Sequence, residues 1–278
     1  MHFNHSMLAA AVARDTRIMN ERLLRAFASV PRARFLGAPP WLVAKPAMDG
    51  ALGATNVETS DPDAIDANVS VVLDRERQLY NGAPGTVATW LDALNPQSHE
   101  RAFHAGCASG YYTAVLAQLT HEVLSIDIDE ELIAMAVDAT RDLENVTVRR
   151  DDALTCDPGP YDVGLVNTGV IEIPELWLLR LRDGGRLEVP LAVPMQKNLS
   201  KAMVFLIERD SDAFRARMIG GAIIYSAIGT ASKEAAAQLV EAFRTKNPHD
   251  VHGLRRDAHP IGAGCWLHAM RYCLTYNS

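Results

Sequence analysis

RAFHAGCASGYYTAVLAQLTHEVLSID, residues Arg101 to Asp127, runs from an apolar strand through a turn of small residues into an amphipathic helix and a second apolar strand. Ala102, Phe103 and Ala105 form the first apolar run. Gly106, Cys107, Ala108, Ser109 and Gly110 follow, a turn in which little side-chain bulk keeps a ligand from the main-chain N–H groups. From Tyr111 the period becomes helical, with Ala114, Val115, Leu116 and Leu119 on one face. The turn therefore sits at a helix N-terminus, where N–H donors and the helix dipole favour electron-rich groups. Val123, Leu124 and Ile126 make the second buried strand. Asp127 ends it about twenty residues past Gly106, where a nucleotide-binding βαβ unit places the acid that binds ribose hydroxyls. A GxAxG turn alone is a weaker sign than GxGxxG; the acid at the next strand end carries nucleotide binding over an ordinary strand-to-helix turn.

Working toward the C-terminus, Asp129 or Glu130 opens a helix with Leu132, Met135, Ala136 and Ala139 on one face, and Asp129 reads as its cap. Val146 and Val148 form a third strand ending at Arg149-Arg150-Asp151-Asp152-Ala153. Tyr161 to Asn167 is a fourth, with the nearly continuous apolar interior of a buried parallel strand. A helix from Ile173 to Leu181, a turn at Asp183-Gly184-Gly185 and a fifth strand from Arg186 to Leu191 follow. Strand, helix, strand repeated in this way means a parallel sheet with right-handed crossovers. Met203 to Ile207 and Ala213 to Tyr225 break the rhythm, predicting an antiparallel pair turned at Asp210-Ser211-Asp212. The expected fold class is α/β: a Rossmann-like doubly wound, mostly parallel sheet with an antiparallel strand pair at its end. Residues 1–78 are expected to form an N-terminal helical and loop cap, 79–230 the core and 231–278 a helix-strand extension.

In the cap, Met1 to Val30 looks helical, with Asn20 capping a face of Leu23, Leu24, Phe27 and Val30 before Pro31 stops it. Pro31 to Asp66 is rich in Pro and Gly and reads as irregular; Val69, Val71, Val72 and Leu73 suit a short strand. Gln78 to Gly85, QLYNGAPG, reads as a turn at Asn81-Gly82 ahead of a helix from about Thr86 to Leu94. In the extension Ser232 caps a helix with Ala236, Leu239, Val240 and Phe243 inward. Trp266, Met270, Tyr272, Leu274 and Tyr276 mostly alternate as a final strand. His249, His252, His259 and His268 lie near Cys265 at spacings that match no common ligand set, so no metal is expected.

Composition narrows the partners. The chain has 278 residues, 48% hydrophobic content and a net charge of −7, enough apolar material for a sizeable core. No basic run offers the phosphate neutralisation that nucleic acid needs. No apolar stretch reaches the length of a membrane span, and MHFNHSMLAAAVARD lacks the features of a signal peptide, so the protein is expected to be cytoplasmic. Cys107, Cys156, Cys265 and Cys273 are scattered without a CxxC, as reduced thiols are.

The order of these signals resembles that of class I S-adenosylmethionine-dependent methyltransferases, and within them the protein-L-isoaspartate O-methyltransferase family. AGCASGYYTAVLAQL is similar to that family's first motif, VLSID to its ribose-binding strand end and RRDDAL to its adenine-side acid. YDVGLVNTGVIEIPELWLLRLRDGGRLEVPL resembles its fourth and fifth strands, and SVPRARFL its N-terminal "VPR" segment. The resemblance covers roughly Asn20 to Thr230.

It implies S-adenosylmethionine as cofactor. Gly106, Ala108 and Gly110, with Cys107 and Ser109 between them, would line its methionine part, Asp127 with neighbouring Ile128 would take the ribose diol, and Asp152 with Ala153 the adenine amine. Asp151 could replace Asp152, and Asn167 would stand near the sulfonium. Three departures are visible: His104 where the family has an acid, Ala108 at its middle Gly, and Gly82 where it carries a substrate-loop Ser. Tyr80 and Asn81 become the nearest polar groups for the acceptor. The expected reaction is O-methylation of a peptide or small-molecule carboxylate, for which no base is required because the acceptor is already ionised. Two other readings stand beside it: a small-metabolite O- or N-methyltransferase using His104 as base, and a non-catalytic protein that only binds the cofactor. The extension could cover a sheet edge, shape the acceptor pocket or pair with a second subunit.

Overall fold

The computed structural model describes residues 7–45, 55–77, 79–196, 199–229, 232–260, 262 and 264–277. Helices α1 (Met7–Thr16) and α2 (Glu21–Ser29) replace the single N-terminal helix expected; Met1–Ser6 lie outside the described residues. The break falls at Arg17, in the left-handed region at φ +61°. Asn20 caps α2 as its position predicts, its side chain accepting from the Leu23 N–H at 3.2 Å.

Pro31 to Asp66 is more ordered than its Pro and Gly content suggests. It holds a 3-10 turn (Arg32–Phe35), strands β1 (Trp41–Lys45) and β2 (Thr55–Thr59) and a one-turn helix α3 (Pro62–Ile65), while residues 46–54 lie outside the described residues. The cause is a small core of Leu36, Trp41, Val43, Ile65 and Val71, which gives this stretch something to pack on. With β3 (Ser70–Asp74) and β4 (Leu79–Asn81), these strands form an antiparallel sheet in the order β2-β1-β3-β4. Asn81, read as a turn residue, instead ends β4 opposite Val71; Gln78 is outside the described residues.

Helix α4 (Pro84–Leu94) starts at its proline and buries Val87, Trp90, Leu91 and Leu94. Arg101 to Asp127 forms β5 (Arg101–Ala105), α5 (Tyr111–Ala117) and β6 (Glu122–Asp127). Then come α6 (Glu130–Thr140), β7 (Val146–Arg150), β8 (Tyr161–Val166), α7 (Glu175–Arg180) and β9 (Leu181–Gln196). Strands β10 (Leu199–Asp210) and β11 (Ala213–Tyr225), helix α8 (Lys233–Thr245) and the short strands β12 (Gly253–Arg255), β13 (Cys265–His268) and β14 (Cys273–Thr275) complete the chain.

Two compact units are distinguished, one of Met1–His99 and Cys107–Arg150, the other of Glu100–Gly106 and Asp151–Ser278. The first carries the four-stranded sheet and the parallel pair β6–β7, in register from Val123 opposite Val146 to Asp127 opposite Arg150. In the second the strands run β13-β14-β12-β11-β10-β9-β8-β5. Pairing there is parallel at β5–β8 and β8–β9 and antiparallel from β9 onward. The fold is α/β and Rossmann-like, and its antiparallel section extends past the expected pair because the C-terminal segment adds strands to β11. The single final strand expected over Trp266 to Tyr276 is a hairpin instead: the Ala269 N–H closes on the Tyr272 carbonyl at 2.9 Å, and Met270 at the turn is 83% exposed.

Candidate functional site

In the first unit the small-residue turn and the end of β6 are tied together. The Ala108 N–H donates to Asp127 Oδ2 at 2.8 Å and the Cys107 N–H to the Ile126 carbonyl at 3.1 Å. The Gly110 N–H closes on the Cys107 carbonyl at 2.9 Å. The sequence suggests a turn of bare amides; three of its five are spent holding its own shape, because a loop this tight must satisfy buried main-chain donors internally. Gly110 is at φ +88°, and a Cβ there would lie 3.0 Å from the Ala136 Cβ, so α6 can pass only because the side chain is absent.

Asp127 also accepts from the Asp129 N–H, through Oδ1 at 3.1 Å. Burial raises its pKa, and the Asp129 and Ala108 amides pull it back down. A carboxylate has about four lone-pair directions, so two amide bonds leave capacity for the two hydroxyls of a diol. The donor set of a ribose fits this acid. Beside it Ile128 is exposed, its carbonyl accepting from Arg150 Nε at 3.3 Å. Asp129 caps α6 as expected and pairs with Arg77. Burial drives the Cys107 thiol well above its usual range, with Asp127 adding to the shift, so no thiolate nucleophile is present in the turn.

The segment from Tyr80 to Gly82 is held by a residue to which the sequence alone gives no role. Arg32 is fully buried, and its guanidinium donates to Asn81 Oδ1 at 3.0 and 2.8 Å, to the Gly82 carbonyl at 3.1 Å and to the Ile65 carbonyl at 3.0 Å. The Tyr112 hydroxyl also donates to the Gly82 carbonyl. Asn81, a candidate for touching the acceptor, is itself buried with its side-chain oxygen turned to Arg32; Tyr80 is half-buried on β4. The signal that could have found Arg32 is the arginine of the SVPRARFL segment. A Cβ at Gly82 would meet nothing within 4 Å, so packing does not dictate glycine where the family carries a Ser.

In the second unit, Asp152 makes the turn after β7: its Oδ1 accepts from the Leu154 N–H at 2.9 Å and its carbonyl from the Cys156 N–H at 2.8 Å. The Ala153 carbonyl accepts from Trp177 Nε1 at 3.0 Å. Asn167 extends the β5–β8 pairing, its N–H donating to the Ala105 carbonyl at 2.8 Å. Gly106 stands at φ +74°, and a Cβ there would lie 3.1 Å from the Thr168 Cβ. His104 is fully buried on β5, and burial lowers its pKa to about 3. An imidazole that weakly basic is neutral at physiological pH and a poor proton acceptor.

The histidine-rich tail also departs from expectation. His259, Cys265, His268 and Cys273 meet with all four ligand atoms within 4.8 Å of one another, while His252 is exposed. Their sequence spacing hides this because they converge only through the β13–β14 hairpin. Among the described residues no helix is long and apolar enough to cross a membrane.

A Rossmann-like α/β fold with a small-residue turn leashed to the acid of the following strand is the architecture of nucleotide-cofactor proteins, and the family match places it among the class I S-adenosylmethionine-dependent methyltransferases. The family described as Protein-L-isoaspartate(D-aspartate) O-methyltransferase (PCMT) matches residues 4–232. Protein-L-isoaspartate O-methyltransferase 2 of Shewanella sediminis is 29% identical over 221 residues, 78% of this chain and 80% of that protein. The protein-L-isoaspartate O-methyltransferase of Methanoregula boonei is 30% identical over 219 residues, 76% and 87% of the two chains. A PCMT from Plasmodium falciparum, solved in complex with S-adenosyl-L-homocysteine, shares the fold with a TM-score of 0.61 at 15% identity, over 81% of this chain and 98% of that one. The chain belongs to the protein-L-isoaspartate O-methyltransferase family.

Proposed function

We propose that the protein methylates a carboxylate oxygen of a peptide or protein, with an isoaspartyl side chain, the group named in its relatives, as the first acceptor to test. The observation that carries this reading is the match to the protein-L-isoaspartate O-methyltransferase family over residues 4–232, and His104, buried with its pKa lowered to about 3, agrees with it as a weak proton acceptor. An acceptor that needs no deprotonation suits that arrangement, since a carboxylate is ionised above a pKa of about 4. When bound, S-adenosylmethionine supplies an electrophilic methyl group on a sulfonium. The protein's part is then to bind, align and keep water out.

Asp127 holds the ribose diol, and the turn from Cys107 to Gly110 sets the height of that carboxylate through the Ala108 amide. The family resemblance assigns the adenine amine to Asp152, the adenine edge to Ala153 and the sulfonium side to Asn167. Arg32 and Tyr112 fix the Gly82 carbonyl, so the segment presenting Tyr80 is held in one conformation before an acceptor arrives. Asn81 acts through Arg32 as a positioning residue.

The test is methyl transfer from radiolabelled S-adenosylmethionine to an isoaspartyl peptide, to the same peptide with ordinary aspartate, and to a panel of metabolite acids. Base-labile label on the isoaspartyl peptide alone is expected; base-stable label on any acceptor would rule out a carboxyl ester. Calorimetry of Asp127→Asn should show cofactor binding weakened about 10- to 100-fold, the loss of hydrogen bonds to a charged acceptor. Unchanged affinity in that variant would remove Asp127 from the site.

A further inference from the structure

We propose that His259, Cys265, His268 and Cys273 form a structural zinc site that staples the C-terminal hairpin. Cys265 Sγ lies 3.6 Å from His259 Nε2 and 4.0 Å from His268 Nδ1, and the four potential ligand atoms all fall within 4.8 Å of one another. A tetrahedral zinc ion with ordinary bond lengths has ligand-to-ligand edges of about 3.5 Å for sulfur to nitrogen and about 3.8 Å for sulfur to sulfur. The cluster therefore has nearly the dimensions the ion imposes.

The ligands are prepared as well as near. His259 Nδ1 lies 2.9 Å from the Asp257 carbonyl, which fixes the proton on that nitrogen and turns the lone pair of Nε2 toward Cys265. The two imidazoles stand edge to face, with centroids 4.9 Å apart at 84°, as two ligands on neighbouring tetrahedral vertices can. Cys265 and Cys273 are buried while the histidines are half-buried, so the sulfurs are shielded from solvent. Residues three apart in a regular strand face opposite sides, yet Cys265 and His268 face one another. The register shift between Cys265 and Leu267 supplies the extra residue that brings them to one face. Lys246 Nζ donates to the carbonyls of Cys265 and Trp266, both at 2.9 Å, anchoring β13 to the end of α8 and placing a positive charge beside the sulfurs.

Two sulfur and two imidazole donors in tetrahedral array select zinc over the harder divalent ions, and four protein ligands leave no open position for catalysis. Binding takes one zinc ion, two thiols and two neutral imidazoles to a neutral four-coordinate centre with release of two protons. The site shares no residue with the turn, Asp127 or the Arg32 network and stands independently of the methyl-transfer reading.

The full-length protein, purified under reducing conditions without added metal, is measured by inductively coupled plasma mass spectrometry and then exchanged with cobalt. Stoichiometric zinc is expected, and the cobalt form should show the intense visible bands of a tetrahedral ion together with thiolate-to-metal charge transfer. His259→Ala should weaken zinc affinity by about a hundred-fold or more, beyond the ten- to hundred-fold cost of losing an outer-shell partner. The double variant C265S/C273S should lose the metal; if it does not fold, the cobalt spectrum of the unaltered protein decides. A metal-free protein with weak, octahedral cobalt bands would overturn the site. So would a Cys265–Cys273 disulfide in the non-reduced peptide map, or zinc retained in His259→Ala at full affinity.

Discussion

Ala108 occupies the left-handed backbone region at φ +48°, where its Cβ crowds the neighbouring carbonyl. The residue stays there because its N–H is held by Asp127 on one side and the Cys107 and Gly110 hydrogen bonds close the turn around it. Glycine at this place would adopt the same conformation without the steric cost, though the unfolded chain would gain freedom. Ala108→Gly should therefore stabilise the fold by about 0.5–1 kcal/mol, the steric relief less the entropy of the unfolded state. Urea unfolding at constant m-value reads this directly. A variant no more stable than the parent would mean that the turn relaxes elsewhere and that Ala108 carries no strain.

Arg32 works at the scale of elements, joining the 3-10 turn after α2 to α3 and to the end of β4 through five acceptor atoms spread over Ile65, Ala67, Asn81 and Gly82. The Tyr111 ring lies 5.7 Å from the guanidinium carbon, so the charge also rests against an aromatic face. Arg32→Met keeps most of the volume and removes every donor, leaving buried carbonyls unpaired. The expected loss is about 3–5 kcal/mol of stability, a sum over several orphaned acceptors. Lysine should not restore it, since a point charge cannot reproduce the planar fork. Equal urea midpoints for the Lys variant and the parent would show that charge alone suffices. This network also marks the limit of what the sequence discloses. The strand, turn, helix and strand from Arg101 to Asp127 are legible because their periodicity and caps are written in adjacent residues, and Asp129 and Asn20 cap helices where their positions imply. Arg32 meets Asn81 across 49 residues, and His259 meets Cys273 through a bulged hairpin. Neither leaves a local pattern, because each depends on which elements the hydrophobic core brings together.

For the whole molecule, folding stability integrates the buried titratable groups, and two of them pull in opposite directions. Burial holds the His104 pKa down to about 3, well below the ordinary 6.5, so the folded chain keeps the ring neutral. Between those values the unfolded chain binds a proton that the folded chain does not, and stability is lost as pH falls through this window. Glu188 is fully buried on β9, its Oε2 accepting from the Val166 N–H at 2.9 Å, and burial raises its pKa well above the usual carboxyl value. Above the ordinary value near 4.5 the unfolded chain has released this proton while the folded chain retains it. Stability contributed by Glu188 therefore falls as pH rises, by about 1.4 kcal/mol per unit, until the folded carboxyl itself ionises. Glu188→Gln keeps an oxygen for the Val166 amide and cannot ionise. Its unfolding free energy relative to the parent should be nearly constant below pH 4.5 and should climb steadily from there toward pH 8, whatever fixed offset the amide introduces. Urea titrations of both proteins at pH 4, 6 and 8 measure that difference, and parallel profiles would show that Glu188 is charged inside the folded protein.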